Sequence, residues 1–195
     1  MKLKLICLIQ FTSIVFASSG YDQGKSAGQG NLDISFTWNP FNYYDYGQSY
    51  IIVGYGINNK IDLHAYYSHS HKYSDNYYMG VLYQFYNSNN LYLSTAIGIR
   101  KYTNKSITHY FTPQLLMTKR INDKLSIGGS LVSIRGSKNI NKTLGTAKDF
   151  SLILDVYDNK QYQVSISIGG FNPVLWKPDE GNWYPTYSID LKIKN

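Results

Sequence analysis

A two-residue alternation of apolar and polar side chains recurs along almost the whole chain, and it constrains the fold more than any other feature. Residues 32–38 show it first, with Leu, Ile, Phe and Trp at the even-numbered positions and Asp, Ser and Thr between them. Successive side chains of a β-strand point to opposite faces, so this pattern predicts strands that each have one apolar face. Ten segments carry it, at residues 32–38, 51–57, 61–68, 79–85, 91–100, 111–117, 125–131, 150–156, 162–168 and 187–194.

The connections between these segments alternate in length. Short ones rich in Asn and Asp, which favour tight hairpins, lie at 58–60, 87–90, 121–123 and 158–160. The others are longer, at 39–48, 72–76, 102–108, 135–148 and 170–184. Each segment is near the roughly ten residues with which a tilted strand crosses a bilayer. The sequence therefore predicts an all-β fold, a single up-and-down antiparallel transmembrane β-barrel of about ten strands, with about eight as the alternative count.

The first residues have the three-part layout of a secretory signal peptide. A short basic start precedes an apolar run over 5–16, and Ala17 completes a cleavage site. The run is shorter than the about 20 apolar residues of a membrane-anchoring helix, which is the alternative interpretation. Cleavage would also remove Cys7 and leave a chain without thiol chemistry. We expect a signal peptide over 1–17 (cleaved at 17/18 or 19/20), a flexible N-terminal segment over 18–30 and a β-barrel domain over 31–195.

Composition favours a barrel with lipid outside and a polar, sparsely charged interior. Charged residues make up 16% of the chain, whereas soluble domains average about 25%. A soluble barrel or sandwich with its apolar faces turned inward is the main alternative. Against it, the polar faces carry mostly Ser, Gly, Tyr and Gln, and aromatic residues such as Tyr78 and Tyr110 stand at strand ends, as interfacial residues do. By parity, we expect these residues to face lipid: Leu93, Ile97, Leu115, Leu131, Leu152, Val164 and Ile189.

With these features the chain resembles, over residues 30–195, the broad class of small bacterial outer-membrane β-barrel proteins. The resemblance implies a place in the bacterial outer membrane, with the periplasm or secretion as the alternative. It also implies outer-membrane lipid as a partner, including lipopolysaccharide phosphates, which suits a net charge of +7. We expect no nucleic-acid partner. The chain ends in Lys192-Ile193-Lys194-Asn195 without the terminal aromatic residue common in this class, which leaves its assembly route open.

The histidines are the main candidates for chemistry. His69 and His71 share a strand face, and Asp75 follows them, which makes a weak candidate for a metal site. A transition metal needs further ligands, and none stands beside them in the sequence. We interpret Asp62 and His64 as a structural hydrogen-bonded pair. No phosphate-binding glycine loop and no nucleophile elbow occurs, so we expect no cofactor and no enzymatic activity, with an outer-membrane enzyme as a third hypothesis.

A further set of polar residues has inward parity near the short-turn end of the predicted barrel. We expect a belt of acids, amides and basic groups across the lower lumen: Asp33, Asp62, His64, Gln84, Asp155, Gln163, Asp190 and Lys192. Buried charges remain charged only when they are paired, so such a belt would act as an interlinked plug. The sequence thus favours a structural or interaction scaffold with a largely plugged lumen, since few strands enclose little space. The alternative function is a narrow channel or transporter for small solutes.

The predicted long connection 135–148 contains basic residues and no acid: Arg135, Lys138, Lys142 and Lys148. We expect a mobile cationic loop on the extracellular side that pairs with anionic lipid phosphates, because Lys and Arg bind phosphate readily. A loop that is merely well solvated is the alternative interpretation.

Overall fold

The computed structural model describes residues 23–40, 48–69, 74–172 and 183–195. Within these ranges the chain folds into ten β-strands: β1 (Leu32–Asn39), β2 (Gln48–Gly56), β3 (Ile61–His69), β4 (Asn76–Ser88), β5 (Leu91–Tyr102), β6 (Lys105–Arg120), β7 (Leu125–Gly136), β8 (Asn139–Asp158), β9 (Tyr162–Asn172) and β10 (Tyr184–Ile193). No helix in these ranges is long and apolar enough to cross a membrane.

The strands form one closed antiparallel barrel, in which each strand pairs with its neighbours in sequence. The barrel closes where β1 pairs with β10, from Leu32 opposite Ile193 to Trp38 opposite Tyr187. This confirms the predicted all-β, up-and-down barrel of ten strands. Closure gives each strand two hydrogen-bonded neighbours, so the sheet has no open edge along its paired length.

Asparagine side chains build the short turns at one end of the barrel. In the β2–β3 turn the Oδ1 atom of Asn58 accepts hydrogen bonds from the backbone N–H groups two and three residues later, at 2.8 and 2.9 Å. Asn122 and Asn159 repeat this arrangement in the β6–β7 and β8–β9 turns. The β4–β5 turn instead places Asn89 and Asn90 at positive φ, 51° and 61°. The sequence predicted these turns because asparagine bonds its local backbone and tolerates left-handed conformation.

The two faces of the barrel wall are opposite in polarity. Large apolar side chains point outward on every strand, and Ile97 and Ile189 are 59% and 57% exposed. Many inward positions carry small polar residues, such as the buried Ser94 and Ser167. This is the reverse of a soluble barrel, which turns its apolar face inward. The residues predicted to face lipid do point away from the lumen: Leu93, Ile97, Leu115, Leu131, Leu152, Val164 and Ile189.

Two connections that we predicted as long loops are tight hairpins. Residues 103–104 join β5 to β6, and residues 137–138 join β7 to β8. The loops expected over 102–108 and 135–148 are therefore wrong. These segments are rich in Ser, Thr, Asn and Lys, a composition typical of loops. Beyond the apolar belt, however, the strands of a hairpin can stay paired through their backbones even though their outward side chains are polar. The three other long connections contain residues outside the described ranges.

A β-bulge in β6 reverses the face that we predicted for Phe111. Phe111 lies opposite Ile134 of β7 and Gln114 lies opposite Val132, so β6 uses one residue more than its partner between these pairs. The extra residue inverts the alternation. Phe111 is consequently buried inside the barrel, while Leu115 on the same strand points outward. The apolar pattern runs without a break across the bulge, so it predicted a single face.

The outward face can be tested by placing a charge on it. We expect Leu115→Arg to lower the free energy of unfolding by about 2–4 kcal/mol in lipid vesicles, because the arginine would have to leave water. Denaturant titration of the vesicle-inserted protein measures the change. Ser106→Arg, an exposed position near the end of the same strand, is the control and should alter stability little. Equal effects of the two substitutions would show that the outward face does not contact lipid.

Candidate functional site: the barrel lumen

The segment that precedes β1 enters the lumen at the short-turn end. Asp62, at the start of β3, accepts the Ser26 hydroxyl on Oδ1 at 2.7 Å and the backbone N–H of Ala27 on Oδ2 at 2.8 Å. Both oxygens of one buried carboxylate therefore hold the segment. Hydrogen bonds to a charged acceptor are among the stronger ones in proteins, so Asp62 is the main anchor.

Strands β4, β5 and β6 add further hydrogen bonds to the segment. The side-chain oxygen of Gln84 accepts the N–H of Ser26 at 2.8 Å, and the Thr118 hydroxyl accepts the N–H of Gly24 at 2.9 Å. Ser94 donates its hydroxyl to the Gly24 carbonyl oxygen at 2.6 Å. Wall side chains thus satisfy backbone groups that would otherwise be costly to bury inside the barrel.

Close approach to the wall explains the small residues of this segment. A Cβ at Gly56 on β2 would collide with the Gly28 carbonyl, and the N–H of Gly30 donates to the Gly56 carbonyl oxygen at 2.8 Å. We expected a flexible segment over 18–30, whereas its described part, 23–30, makes these contacts. A run of Gly, Ser and Ala fits both a flexible linker and a chain packed against a wall, so composition could not separate the two.

A cavity of about 620 Å³ lies in the half of the lumen near the short turns, and the N-terminal segment forms part of its lining. The residues of the predicted belt all line this cavity: Asp33, Asp62, His64, Gln84, Asp155, Gln163, Asp190 and Lys192. Strand parity was enough to bring them together, because all of them have inward parity in a barrel that closes.

Serine hydroxyls bind two of the aspartates in the cavity wall. The Asp155 Oδ1 atom accepts the Ser165 hydroxyl at 2.7 Å. The Asp190 Oδ2 atom accepts the hydroxyls of Ser167 and Ser188, at 3.1 and 3.2 Å. Inward serines of β9 and β10 therefore provide the donors that a partly buried carboxylate requires.

Opposite charges meet where the first and last strands join. Asp33 and Lys192 are cross-strand neighbours and form an ion pair at 3.4 Å. Lys25 of the N-terminal segment also lines the cavity. Enclosure lowers the pKa of Lys25, and the charges of Lys192 and Arg120 lower it further, while Asp155 and Asp33 act in the opposite direction. These groups surround a hollow space, whereas we expected them to fill it as an interlinked plug.

Bulky side chains fill the lumen beyond the cavity, toward the long connections. They come from five strands and are almost completely buried, with the small Ala147 of β8 beside them: Ile52, Tyr66, Tyr78, Phe111, Val132 and Ile134. The rings of Tyr66 and Tyr78 stack with their centroids 5.1 Å apart, and Phe111 lies 5.3 Å from Tyr78. Ser167 and Thr186, on the opposite wall, are buried as well. In the part of the chain that the structure describes, this bulky layer therefore closes the lumen on the long-connection side of the cavity.

Tyr78 stands at the centre of the bulky layer. Its hydroxyl lies 3.1 Å from the Nε2 atom of His64 and accepts the side-chain N–H of Gln114 at 2.8 Å. Gly98 on β5 makes room for it, since a Cβ there would overlap the tyrosine ring. We had grouped Tyr78 with the interfacial aromatics, but it is 1% exposed and faces the lumen. We interpreted Asp62 and His64 as a hydrogen-bonded pair. In the structure Asp62 binds the N-terminal segment, whereas His64 contacts Tyr78 of the bulky layer.

The weak metal candidate lies at the rim formed by the long connections. The Nδ1 atom of His69 is 2.9 Å from Oδ1 of Asp75, and Oδ2 of Asp75 accepts the Tyr67 hydroxyl. His71 lies outside the described residues. In the part of the chain that the structure describes, no group of three or more His, Cys, Asp or Glu side chains is placed to hold a metal.

The basic residues predicted on a mobile loop lie instead on the paired β7–β8 hairpin: Arg135, Lys138, Lys142 and Lys148. Lys138 is in the two-residue turn, and the others belong to the strands. The Arg135 guanidinium donates to the carbonyl oxygens of Thr112 and Ile140, both at 3.0 Å. The expected loop is wrong because the backbone on both sides of the turn is paired.

Comparison with known proteins bears on the fold. No family model matches the chain, and no curated protein matches it. Among solved structures, the KdgM porin in complex with disordered oligogalacturonate is similar, with a TM-score of 0.50 and 10% identity over 85% of this chain and 99% of that one. The N-terminal β-barrel domain of Pseudomonas aeruginosa OprF has a TM-score of 0.39 and 12% identity, over 85% and 99% of the two chains. The likeness to KdgM concerns the fold alone: this chain is a closed β-barrel, as that porin is and as its sequence pattern implied.

The anchor of the N-terminal segment can be tested at Asp62. We expect Asp62→Ala to speed amide hydrogen exchange at Ser26 and Ala27 by about tenfold to a hundredfold, because two hydrogen bonds to a charged acceptor are lost. Exchange followed by mass spectrometry on the full chain measures this. Asp123→Ala removes the same charge from an exposed turn and should leave exchange at these residues unchanged. Undiminished protection in the Asp62 variant would mean that another contact holds the segment.

Proposed function

We propose that the protein is a closed β-barrel of the bacterial outer membrane that serves as a structural or interaction scaffold. The continuous outward apolar belt is the observation that carries this proposal, with residues such as Phe36, Met79 and Ile166 more than a third exposed. Soluble proteins rarely expose apolar patches larger than roughly a few hundred Å². Such a belt is stable in contact with lipid. A closed barrel also suits lipid, because its strands pair all of their backbone hydrogen-bonding groups with one another.

Obstruction of the lumen on both sides of the cavity supports a scaffold over an open channel. Residues 23–30 occupy the short-turn end, and the bulky layer around Tyr78 lies on the far side of the cavity. Both would have to move before water could pass from one end to the other. A ten-stranded wall encloses little room once side chains point inward, whereas open porins use about 16 strands. Recognition of other molecules is then left to the outer face and the rim.

A cleaved signal peptide over 1–17 stays a prediction, since these residues lie outside the described ranges. Cleavage at 17/18 or 19/20 would create a new chain end only a few residues before Gln23. A free end so close to the barrel can enter the lumen without a loop being threaded through it. Export and occupation of the lumen by residues 23–30 are therefore compatible.

A narrow channel for small solutes is the second candidate. The observation in its favour is the hollow cavity lined by charged groups, which a scaffold does not require. The similar KdgM structure holds oligogalacturonate, a carboxylated sugar chain. In this protein the cavity lining carries both signs of charge, from five aspartates and four basic residues: Asp33, Asp62, Asp155, Asp158, Asp190, Lys25, Arg120, Lys192 and Lys194. The excess of one carboxylate gives only a slight preference for cations, so a solute passing this barrel would be small.

Planar-bilayer recordings separate the two functions. We expect the wild type to be silent and deletion of residues 23–30 to leave it silent, because the bulky layer still closes the lumen. The same deletion combined with Tyr78→Ala and Phe111→Ala should conduct. Combining it with Tyr77→Ala and Met79→Ala, which are outward neighbours, should not.

If the wild type conducts steadily and prefers cations, the scaffold function is wrong and the channel function takes its place. Conductance after the deletion alone would indicate a channel that the segment gates. Boiled and unboiled samples on a detergent gel show whether each variant is a folded barrel. A wild type whose mobility does not change on boiling, and which stays out of the outer-membrane fraction of cells, would contradict the proposed location.

A further inference from the structure

The outer face of one half of the barrel changes abruptly from apolar to cationic near the long-connection end. On β5 the outward residue after Ile99 is Lys101, and on β8 the outward residue beyond Phe150 is Lys148. The outward face of β7 ends in Arg135. Three of the four strands from β5 to β8 thus pass from an apolar belt to a positive charge within a few residues.

Acidic residues do not balance these charges on the outer surface. Between Lys101 and Lys148 the only acid is Asp123, which lies in a short turn at the opposite end of the barrel. Asp149, next to Lys148, is buried and accepts the Ser130 hydroxyl at 2.6 Å inside the barrel.

Asp75, just before β4, lies beside the end of β5, where its carbonyl oxygen accepts the Thr103 N–H, but its carboxylate is bound by His69 and Tyr67. Basic residues therefore outnumber acids on the described outer surface of this half.

The other half of the circumference is aromatic at the corresponding level. Trp38 on β1 and Tyr187 on β10 lie side by side with ring centroids 6.1 Å apart. Tyr67 and Tyr77, on β3 and β4, are nearly half exposed. Aromatic residues suit the interface of any lipid, whereas lysine and arginine near a membrane surface favour anionic headgroups. The difference between the halves indicates a selective lipid contact on one side.

The β7–β8 hairpin carries positive charge beyond the apolar belt. β8 has 20 residues, about twice the number needed to cross a bilayer, and its pairing with β7 continues to Asn139 opposite Gly136. Leu131 lies opposite Lys148, and Arg135 follows four residues later, about 13 Å along the strand. Cations spread over such a distance suit a headgroup with more than one phosphate.

We propose that Lys101, Arg135 and Lys148 form a binding surface for the phosphates of an anionic outer-leaflet glycolipid. The inference rests on the proposed outer-membrane location. Lysine stems can lie along the apolar wall while their ammonium groups reach the phosphates. Arg135 is held by backbone carbonyl groups and keeps further N–H donors for an anion. Because paired strands carry these residues, little of the surface has to become ordered when lipid binds.

Binding of diphosphoryl lipid A to the full chain in zwitterionic detergent tests the proposal, and native mass spectrometry counts the bound lipid. We expect the double variant Lys101→Gln, Lys148→Gln to bind about tenfold to thirtyfold more weakly at low ionic strength, since each basic residue near an anionic surface contributes roughly a factor of five. Wild-type binding should also weaken as salt is added.

The matched control is the double variant Lys60→Gln, Lys124→Gln, which removes the same charge from exposed short turns and should bind as the wild type does. With dephosphorylated lipid A, the wild type should bind no more tightly than the lysine variant Lys101→Gln, Lys148→Gln. Equal binding by both variants, or undiminished binding of the dephosphorylated lipid, would overturn the inference while leaving the proposed location intact. A chain that shows no folded-barrel mobility on a detergent gel would contradict the proposed function itself.

Discussion

Backbone hydrogen bonding around a closed circle is the constraint on which the other features of this barrel depend. In an apolar surrounding, each backbone N–H or C=O group without a partner costs on the order of a few kcal/mol, so β1 has to meet β10. The register that closes the circle sets Asp33 opposite Lys192 and Ser35 opposite Asp190. It therefore also decides which side chains share the lumen. A wall of ten strands then leaves a narrow interior that must be either filled or solvated.

Two different parts of the chain fill that interior. The bulky layer belongs to the wall itself, and Tyr78 fits there because Gly98 leaves space for its ring. The N-terminal segment is a separate chain end, and the Gly28 carbonyl fits there because Gly56 has no Cβ. Glycines in the barrel wall thus determine where a large side chain or a second backbone can pack against the inner face of the wall. Hydrogen bonds to the wall hold the segment, whereas the layer combines apolar burial and ring stacking with the hydrogen bond from Gln114 to Tyr78.

Sequence parity predicted what depends on alternation within one strand, namely the strands, the outward face and the residues that line the cavity. It failed where a register shift inverts the alternation, as it does between Phe111 and Gln114. It also failed for the hairpin around Lys138, because composition cannot distinguish a loop from paired strands outside the apolar belt. The contacts of Ser26 and Ala27 depend on Asp62, which is distant in sequence and close only after the barrel closes. Such contacts leave no local signal.

The same alternation that builds the wall also separates charge across it. Lys148 and Asp149 are consecutive, yet the ammonium group lies outside and the carboxylate inside, where Ser130 donates to it. Asp155 likewise points inward and accepts the Ser165 hydroxyl. A carboxylate on the outer face would repel anionic lipid, and one inside needs donors, which inward serines supply. A lysine outside gains from the same lipid charge. The polar residues of β8 therefore suit a wall between anionic headgroups and a narrow, hydroxyl-lined interior.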